Sequence, residues 1–304
     1  MKNMFLYYYH IYPDTLYIKD DNYFLKYKNN NYMFALFNRP ESDALALYNL
    51  NSKILKRDVL VHKIIMNSNG NVLSYIDNKP YVLLEIFINS NSLVTLPDIC
   101  NINNKTINIE CDKQITRYNW DKLWEMKNDY FELQINEIGS KFPNLSKYIN
   151  YYLGLAENAI SYVKNAIKIK GDVYYSVSHR RIDYNSNLLM LYNPLDYVYD
   201  YRIRDACEYI KNAFFNGKDA LDLVDVFFKN NFLTYKEAVL FYGRLLYPSY
   251  FFDLQDEIVN KNLDEKALEK IICKSKEYEF FLKKVHEYIS KIYDTYIPAI
   301  DWLI

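Results

Sequence analysis

The chain has 304 residues, of which half are hydrophobic and 17% are aromatic. This length suits two domains of ordinary size or one large domain, and the composition can supply a packed core. The 37 basic and 38 acidic residues nearly balance, which excludes the strong positive field that gathers nucleic acid without sequence preference. We therefore expect no nucleic-acid partner.

The sequence carries no membrane, secretion or disulfide signal. No stretch approaches the ~20 apolar residues that a membrane-spanning helix needs. The apolar run in the first ten residues is short, is broken by polar residues and lacks a small-residue cleavage site. We therefore expect a cytoplasmic protein that does not insert into membranes. The sequence contains no CxxC pair, so we expect neither a zinc site nor a redox motif. Its four cysteines lie far apart, at Cys100, Cys111, Cys207 and Cys273.

The first third of the chain predicts a small antiparallel sheet. Aromatic-rich runs separated by Asn and Asp clusters are typical of strands and turns, and leucines at helical spacing after Pro40 indicate one helix. In chain order, the predicted elements are strands at Thr15–Lys19, Tyr23–Tyr27 and Tyr32–Phe37, a helix at Glu41–Lys56, and strands at Asn71–Ile76 and Tyr81–Phe87. Residues 1–87 are thus predicted to form a β-rich N-terminal lobe.

The rest of the chain predicts a connector and a helical lobe. Residues 88–117 are rich in Asn and Ser at their start and predict a mobile connector. Residues 118–304 have helical periodicity, with Gly and Pro as breaks. The predicted helices are Trp120–Ile138, Leu145–Ile169, Arg202–Phe215, Ala220–Lys229, Thr234–Tyr247 and Glu265–Tyr293. Within this lobe, Gly171–Leu195 becomes irregular and polar, as an active-site loop would.

This order of elements is that of kinase-like folds, and two segments make the resemblance specific. Tyr151–Ile160 (YYLGLAENAI) and Asn193–Tyr209 (NPLDYVYDYRIRDACEY) resemble signature segments of the YutH and CotS type of spore-coat kinase-like proteins. The second segment is also similar to the metal loop and following helix of aminoglycoside and choline phosphotransferases. The ending Tyr296–Trp302 fits the same group. The resemblance implies an α+β, protein-kinase-like fold with a small antiparallel-sheet N-lobe and a larger, mostly helical C-lobe.

Carried over residue by residue, the phosphotransferase motifs are altered at their catalytic positions. The family's catalytic loop reads His-Gly-Asp, four residues, then Asn, and the matching residues here are His179, Arg180, Arg181 and Ser186. Arg181 replaces the carboxylate that deprotonates the acceptor hydroxyl, and a guanidinium has no lone pair to offer. Asn193 replaces the metal-binding Asp and brings no charge, whereas Mg²⁺ is normally held by carboxylates and phosphates.

The positions that would hold a nucleotide are altered as well. The strand lysine should end a Val-Ala-Ile-Lys-like run, and the best match, Phe34–Phe37, places Phe37 there. Residues 1–69 contain no glycine, although the phosphate-covering loop of many kinases is glycine-rich. We therefore expect no intact catalytic site, no metal site, and no bound ATP or Mg²⁺.

Three framework positions of the family remain in register. His179 is one, and Asp200 and Asp205 are the others. By resemblance, the Asp205 carboxylate accepts backbone N–H groups of the catalytic loop, so we expect it to be buried. Asp200 is expected to be a framework residue, the N-cap of a helix beginning near Tyr201, or both.

Three functional interpretations follow from the resemblance. The leading one is a bacterial pseudokinase that acts as a scaffold or binding protein in the spore coat or in sporulation. It would be made in the mother-cell cytoplasm, assembled into the coat and have protein partners, coat proteins among them. The alternative from the enzyme class is an ATP- and Mg²⁺-dependent small-molecule phosphotransferase of the aminoglycoside or choline type, in which Asp183 or Asp196 replaces the missing carboxylates. The third is a nucleotide sensor that binds without turnover.

Overall fold

The computed structural model describes residues 1–303, which form eight β-strands, twelve α-helices and four short 3₁₀ turns. The strands are β1 (Thr15–Lys19), β2 (Asn22–Tyr27), β3 (Asn30–Leu36), β4 (Lys63–Ile65), β5 (Ser74–Ile76), β6 (Lys79–Ile86), β7 (Tyr175–His179) and β8 (Tyr197–Tyr201). The helices are α1 (Lys2–Tyr9), α2 (Asp43–Leu55), α3 (Leu96–Lys105), α4 (Trp120–Ile138), α5 (Pro143–Lys168), α6 (Leu188–Leu191), α7 (Arg204–Phe215), α8 (Ala220–Asn230), α9 (Tyr235–Leu246), α10 (Ser249–Lys261), α11 (Glu269–Ile272) and α12 (Ser275–Ile292).

The chain folds as two compact units. Unit 1 contains residues 1–116 and 175–202, and unit 2 contains residues 117–174 and the residues from Ile203 onward. This grouping differs from the predicted lobes, because residues 175–202 belong with the sheet. Their backbone is bonded to the N-terminal part of the chain. The Tyr192 carbonyl accepts the His62 N–H at 3.0 Å, and the Ser186 carbonyl accepts the Val94 N–H at 2.8 Å.

Six strands of unit 1 form one antiparallel sheet in the order β1-β2-β3-β6-β4, with β5 also paired to β6. Helix α1 packs on this sheet, where Phe5 and Tyr9 join a core that includes Phe34 and Leu83. The Phe5 and Phe34 rings meet edge to face with centroids 5.2 Å apart. The sequence did not predict α1, whose eight residues are too few to be stable without such packing.

A tight two-residue turn, Asp20–Asp21, joins β1 to β2. Both residues are left-handed, with φ of 50° and 58°, as a type I′ hairpin turn requires. Asp tolerates this conformation better than most residues because its short polar side chain can bond locally. The hairpin is therefore closed without glycine, and the turn presents two acidic residues.

Most predicted elements of unit 1 are confirmed, with bounds that differ by a few residues, but the connector is not. Residues 88–117 contain α3, which starts with a capping box formed by Thr95 and Asp98. The apolar side chains of Leu96, Ile99 and Ile102 are buried. The Asn-rich composition concealed a short amphipathic helix, although Leu96, Ile99 and Ile102 recur at helical spacing. Strand β4 was also missed.

Unit 2 is helical, as the sequence predicts. Helix α4 has the predicted bounds, whereas α10 was not predicted and the single helix Glu265–Tyr293 is wrong. That stretch is divided into a 3₁₀ turn, α11 and α12, with the break at Cys273 and Lys274. Within residues 1–303, none of the helices combines the length and the apolar character that crossing a membrane requires.

Candidate functional site

Unit 1 contains a cavity of about 460 Å³. One wall is the sheet, through Phe24 on β2 and the first residues after β3. A second wall is the loop that follows α6 and contains Asn193 and Asp196, and the acidic turn Asp20–Asp21 also lines the cavity. The fold therefore brings together segments that the sequence predicted to carry nucleotide and metal in the family's enzymes.

Phe37 occupies the position predicted for the strand lysine, one residue beyond the end of β3. Its N–H donates to the Pro80 carbonyl at 2.9 Å, so the backbone there is still fixed to the sheet. The residue lines the cavity but is only 4% exposed. This position therefore supplies an apolar surface and no charge.

Arg39, two residues further on, is a site residue that the sequence reasoning missed. Its Nε and Nη2 atoms lie 3.0 and 2.9 Å from Asp43 Oδ2, and both side chains are almost fully buried. Its Nη1 donates to the carbonyls of Leu195 and Tyr197 at 3.1 and 2.7 Å. The residue types gave no signal for this role, because Arg39 precedes the helix that begins at Asp43 and its other acceptors are backbone carbonyls.

His179 ends strand β7 and is 2% exposed. Its Nε2 donates to the Leu191 carbonyl at 2.7 Å, and its ring meets the Tyr197 ring edge to face at 5.1 Å. The imidazole thus braces the loop between β7 and β8. The next residue, Arg180, lines the cavity, and its Nη1 donates to the Asn38 carbonyl at 3.2 Å. Arg181 is exposed.

Ser186, at the position of the catalytic-loop Asn, is bonded within its own loop. Its hydroxyl donates to Asp183 Oδ1 at 3.1 Å and accepts the Asp183 N–H at 3.0 Å. The same carboxylate oxygen accepts the Asn185 N–H at 2.8 Å. Asp183, one of the two predicted substitute carboxylates, therefore stabilises a turn of the loop through these bonds.

Asn193, at the position of the metal-binding Asp, uses both ends of its amide in local contacts. Its Oδ1 accepts the Leu195 N–H at 3.1 Å, and its Nδ2 donates to Asp196 Oδ2 at 3.3 Å. Burial raises the pKa of Asp196, although His179, Arg180 and Arg39 act in the opposite direction. Asp196, the second predicted substitute, thus lies at the cavity beside the altered metal position.

This set of donors does not match what a Mg²⁺–nucleotide complex requires. Mg²⁺ is usually bound by one or two carboxylates plus phosphates, and a strand lysine pairs with the phosphates. Here the corresponding residues are Asn193 and Phe37, and the acidic turn at Asp20–Asp21 would repel a polyphosphate. In the part of the chain that the structure describes, no three His, Cys, Asp or Glu residues are grouped to hold a metal ion.

The two retained aspartates lie in different units. Asp200 is fully buried on β8 opposite Ser176, and its Oδ1 accepts the Tyr201 N–H at 2.7 Å. Its predicted N-cap role is wrong, because the next helix, α7, begins only at Arg204. Asp205 is 1% exposed in the first turn of α7, so it is buried as expected. Its contact with the His179 loop stays a prediction.

Comparison with known families supports the resemblance found in the sequence. The profile of the family described as "Spore coat putative kinase YutH" matches residues 2–285. The endospore coat-associated protein YutH of Bacillus subtilis (strain 168) is 27% identical over 206 residues, which cover 60% of this chain. The match spans 61% of that relative, which is less than two thirds of its length.

Solved structures show the same fold at low sequence identity. An aminoglycoside phosphotransferase from Alicyclobacillus acidocaldarius aligns with a TM-score of 0.66 and 8% identity, over 92% of this chain and 93% of that one. The spectinomycin phosphotransferase APH(9)-Ia aligns with a TM-score of 0.55 and 11% identity, over 88% and 91% of the two chains. At these identities the likeness concerns the fold alone, and it confirms the predicted α+β, kinase-like fold class.

Proposed function

Because this chain belongs to the YutH family of spore-coat kinase-like proteins, we propose that it is a pseudokinase that acts by binding. It would serve as a scaffold or binding protein of the spore coat, and phosphoryl transfer would not be its activity. The observation that carries this proposal is the chemical character of three positions: the strand lysine, the catalytic carboxylate and the metal carboxylate.

Each of these three positions lacks the group that phosphoryl transfer uses. Phe37 is a buried apolar side chain, Arg181 is a permanent cation, and Asn193 is a neutral amide engaged with its own loop. Removing one well-placed electrostatic group typically lowers a rate by roughly 10²–10³-fold. With three such groups replaced, transfer at a useful rate is not expected.

The retained cavity supports binding as the working activity. It keeps an apolar wall that includes Phe24, Met33 and Ala35, together with polar groups at Asn193 and Asp196. A few polar groups on an apolar wall are typical of small-molecule and side-chain binding sites. The cavity is thus suited to a ligand or partner side chain that does not depend on Mg²⁺.

The relative from Bacillus subtilis is associated with the endospore coat, and on this basis we place the present chain there too. We propose that it is made in the mother-cell cytoplasm and assembled into the coat with coat proteins as partners. A fluorescent fusion expressed in sporulating cells tests this. A signal that forms a ring around the forespore supports it, whereas a signal that stays diffuse through the end of sporulation opposes it.

Nucleotide binding is the most direct test of the pseudokinase assignment. The protein is melted with ATP, GTP or ADP at millimolar concentration, each with and without Mg²⁺. A ligand at 100 times its Kd adds about 2.7 kcal/mol to the stability of the folded state, which a melting curve detects. We expect no Mg²⁺-dependent rise in melting temperature. A clear rise with ATP and Mg²⁺ would refute the assignment as stated.

The enzyme alternative has one observation in its favour, since Asp196 lies beside Asn193 at the cavity. In that case, ADP release in the presence of aminoglycosides or choline would be measurable and would be lost in Asp196→Asn. Asp183→Asn is the matched control, because Asp183 bonds within its own loop. Nucleotide-dependent stabilisation without ADP release would instead favour a sensor.

A further inference from the structure

The loop that follows α6 is fastened to the rest of unit 1 through its backbone carbonyls. In active kinases this loop carries the metal-binding Asp, and it must be aligned with a strand lysine and a helix acid for catalysis. Here Phe37 and Asn193 stand at the lysine and metal positions, and under the proposed function the alignment must have a cause other than nucleotide.

Arg39 connects three parts of this site. Its guanidinium pairs with Asp43 in the first turn of α2, through Nε at 3.0 Å and Nη2 at 2.9 Å. Its Nη1 reaches the carbonyls of Leu195 and Tyr197 at 3.1 and 2.7 Å. Arg39 itself follows β3, so one side chain links the strand end, the helix and the loop.

Two buried histidines hold helix α6 and the residue that follows it. His62 donates from its backbone N–H to the Tyr192 carbonyl at 3.0 Å and from Nε2 to the Leu189 carbonyl at 3.2 Å. His179 donates from Nε2 to the Leu191 carbonyl at 2.7 Å. Together with the contacts of Arg39, five carbonyls between residues 189 and 197 are fixed by donors of these three residues.

We propose that Arg39 is the positioning residue of this cavity. It aligns helix α2 with residues 189–197 in the absence of nucleotide, as the strand lysine helps to align the site in active kinases. Helix α2 and the segment of residues 189–197 are held in fixed relative positions before a ligand arrives. The cavity is therefore permanently formed. This deepens the proposed function, because a binding protein without nucleotide chemistry needs a site that does not depend on nucleotide to take shape.

A guanidinium suits this task better than an ammonium group. Its planar fork presents five N–H donors in a fixed geometry, so it can pair with a carboxylate along one edge and serve carbonyls from another. A lysine at the same place is a compact point charge. It would have to reach Asp43 and the carbonyls of Leu195 and Tyr197 from one nitrogen atom, whereas the guanidinium reaches them from separate nitrogens.

Hydrogen exchange followed by mass spectrometry on the full chain tests the proposal. In the ligand-free wild type, amides of residues 189–197 should already exchange slowly. Arg39→Met should accelerate exchange there and in the first turn of α2 by roughly 10- to 100-fold, because hydrogen bonds to charged groups contribute about 1.5–3 kcal/mol each. Helices α4 and α5 in unit 2 should be unchanged.

Arg57→Met is the matched control, because Arg57 lies in the same unit and donates to one carbonyl, that of Ile107, at 2.8 Å. It should leave residues 189–197 unchanged. Arg39→Lys should give an intermediate acceleration at the same segment, and it replaces Arg39→Met as the deciding variant if the latter does not fold. Fast exchange of residues 189–197 in the wild type, or no change in either Arg39 variant, would overturn the proposal.

Failure of this inference is distinguishable from failure of the pseudokinase assignment. If ATP and Mg²⁺ slow exchange around the cavity of the wild type, the assignment fails. The role of Arg39 would still stand if residues 189–197 were protected before nucleotide was added. If nucleotide has no effect and residues 189–197 exchange fast, the pseudokinase assignment is supported and the positioning role of Arg39 is refuted.

Discussion

Lys211→Met removes one cation from a buried network of charges in unit 2. The Glu208 carboxylate pairs with Lys211 Nζ at 2.9 Å and accepts hydrogen bonds from Arg244 Nε at 2.6 Å and Ser249 Oγ at 2.8 Å. Burial alone would raise the pKa of Glu208, but Lys211 and Arg244 outweigh it and hold this pKa below its ordinary value. Burial lowers the pKa of Lys211, and the Glu208 carboxylate acts in the opposite direction.

The expected effect of Lys211→Met is large because Lys211 is 1% exposed. It also donates to the carbonyls of Arg244 and Tyr247 at 3.2 and 3.1 Å, which would lose their donor. Breaking a buried ion pair from one side typically costs about 3–5 kcal/mol. At roughly 2–4 °C per kcal/mol for chains of comparable size, the melting temperature should fall by about 6–20 °C.

Circular dichroism melts at pH 7 measure this effect. Lys284→Met is the matched control, because Lys284 pairs with Glu287 at 2.9 Å while both side chains are at least 40% exposed. Exposed pairs contribute about 0–1 kcal/mol, so the control should melt close to the wild type. If Lys211→Met melted as close to the wild type as Lys284→Met does, Lys211 would have to be hydrated in solution, and the argument from burial would be refuted.

Three further predictions concern packing and pH. Gly243→Ala should destabilise the protein by about 1–3 kcal/mol in urea titrations, because the new Cβ would lie 2.7 Å from Val163 Cγ2. Gly154→Ala is the control and should not destabilise it, because a Cβ there meets no neighbouring side chain within 4 Å. Asn51→Ala removes two buried hydrogen bonds to the backbone around His62; we expect a loss of about 1–3 kcal/mol, and a midpoint equal to that of the wild type would contradict this. Burial lowers the pKa of His62 from 6.5 to about 4. Between these two pH values the unfolded state therefore binds more protons than the folded state. The free energy of unfolding should fall by about 3 kcal/mol as the pH drops through this range. His62→Gln should flatten this pH dependence, and unchanged slopes would speak against it.

Long helices whose burial follows a regular period could be predicted from the sequence. Helix α4 has the predicted bounds because Trp120, Trp124 and Phe131 recur at helical spacing and are buried. Helix α1 could not be predicted, since its buried residues Phe5 and Tyr9 gain their partners from the sheet. The break at Cys273 was missed because the local sequence there contains neither Gly nor Pro.

The site was predictable in its positions but not in its contacts. Motif order placed His179, Asn193 and Asp196 in one loop region, and the structure brings Asn193 and Asp196 to one cavity. The role of Arg39 was not predictable. Its partners include the carbonyls of residues 195 and 197, and a backbone carbonyl leaves no trace in the residue types. The same holds for the imidazole of His179, whose acceptor is also a carbonyl.

The hairpin turn at Asp20–Asp21 has a counterpart at Asp77–Asn78, where φ is 48° and 62°. Among residues 1–303, eight of the ten non-glycine residues with positive φ are Asp or Asn, and the whole sequence has only six glycines. Glycine codons begin with two guanines, whereas the codons of Asn, Lys, Ile and Tyr, which are abundant in this chain, favour A and T. At these turns Asp and Asn stand where glycine is usual. Its turns use residues that adopt the left-handed conformation less readily than glycine. Glycine at Asp77–Asn78, which does not line the cavity, is therefore a route to a more stable protein that leaves the binding site untouched.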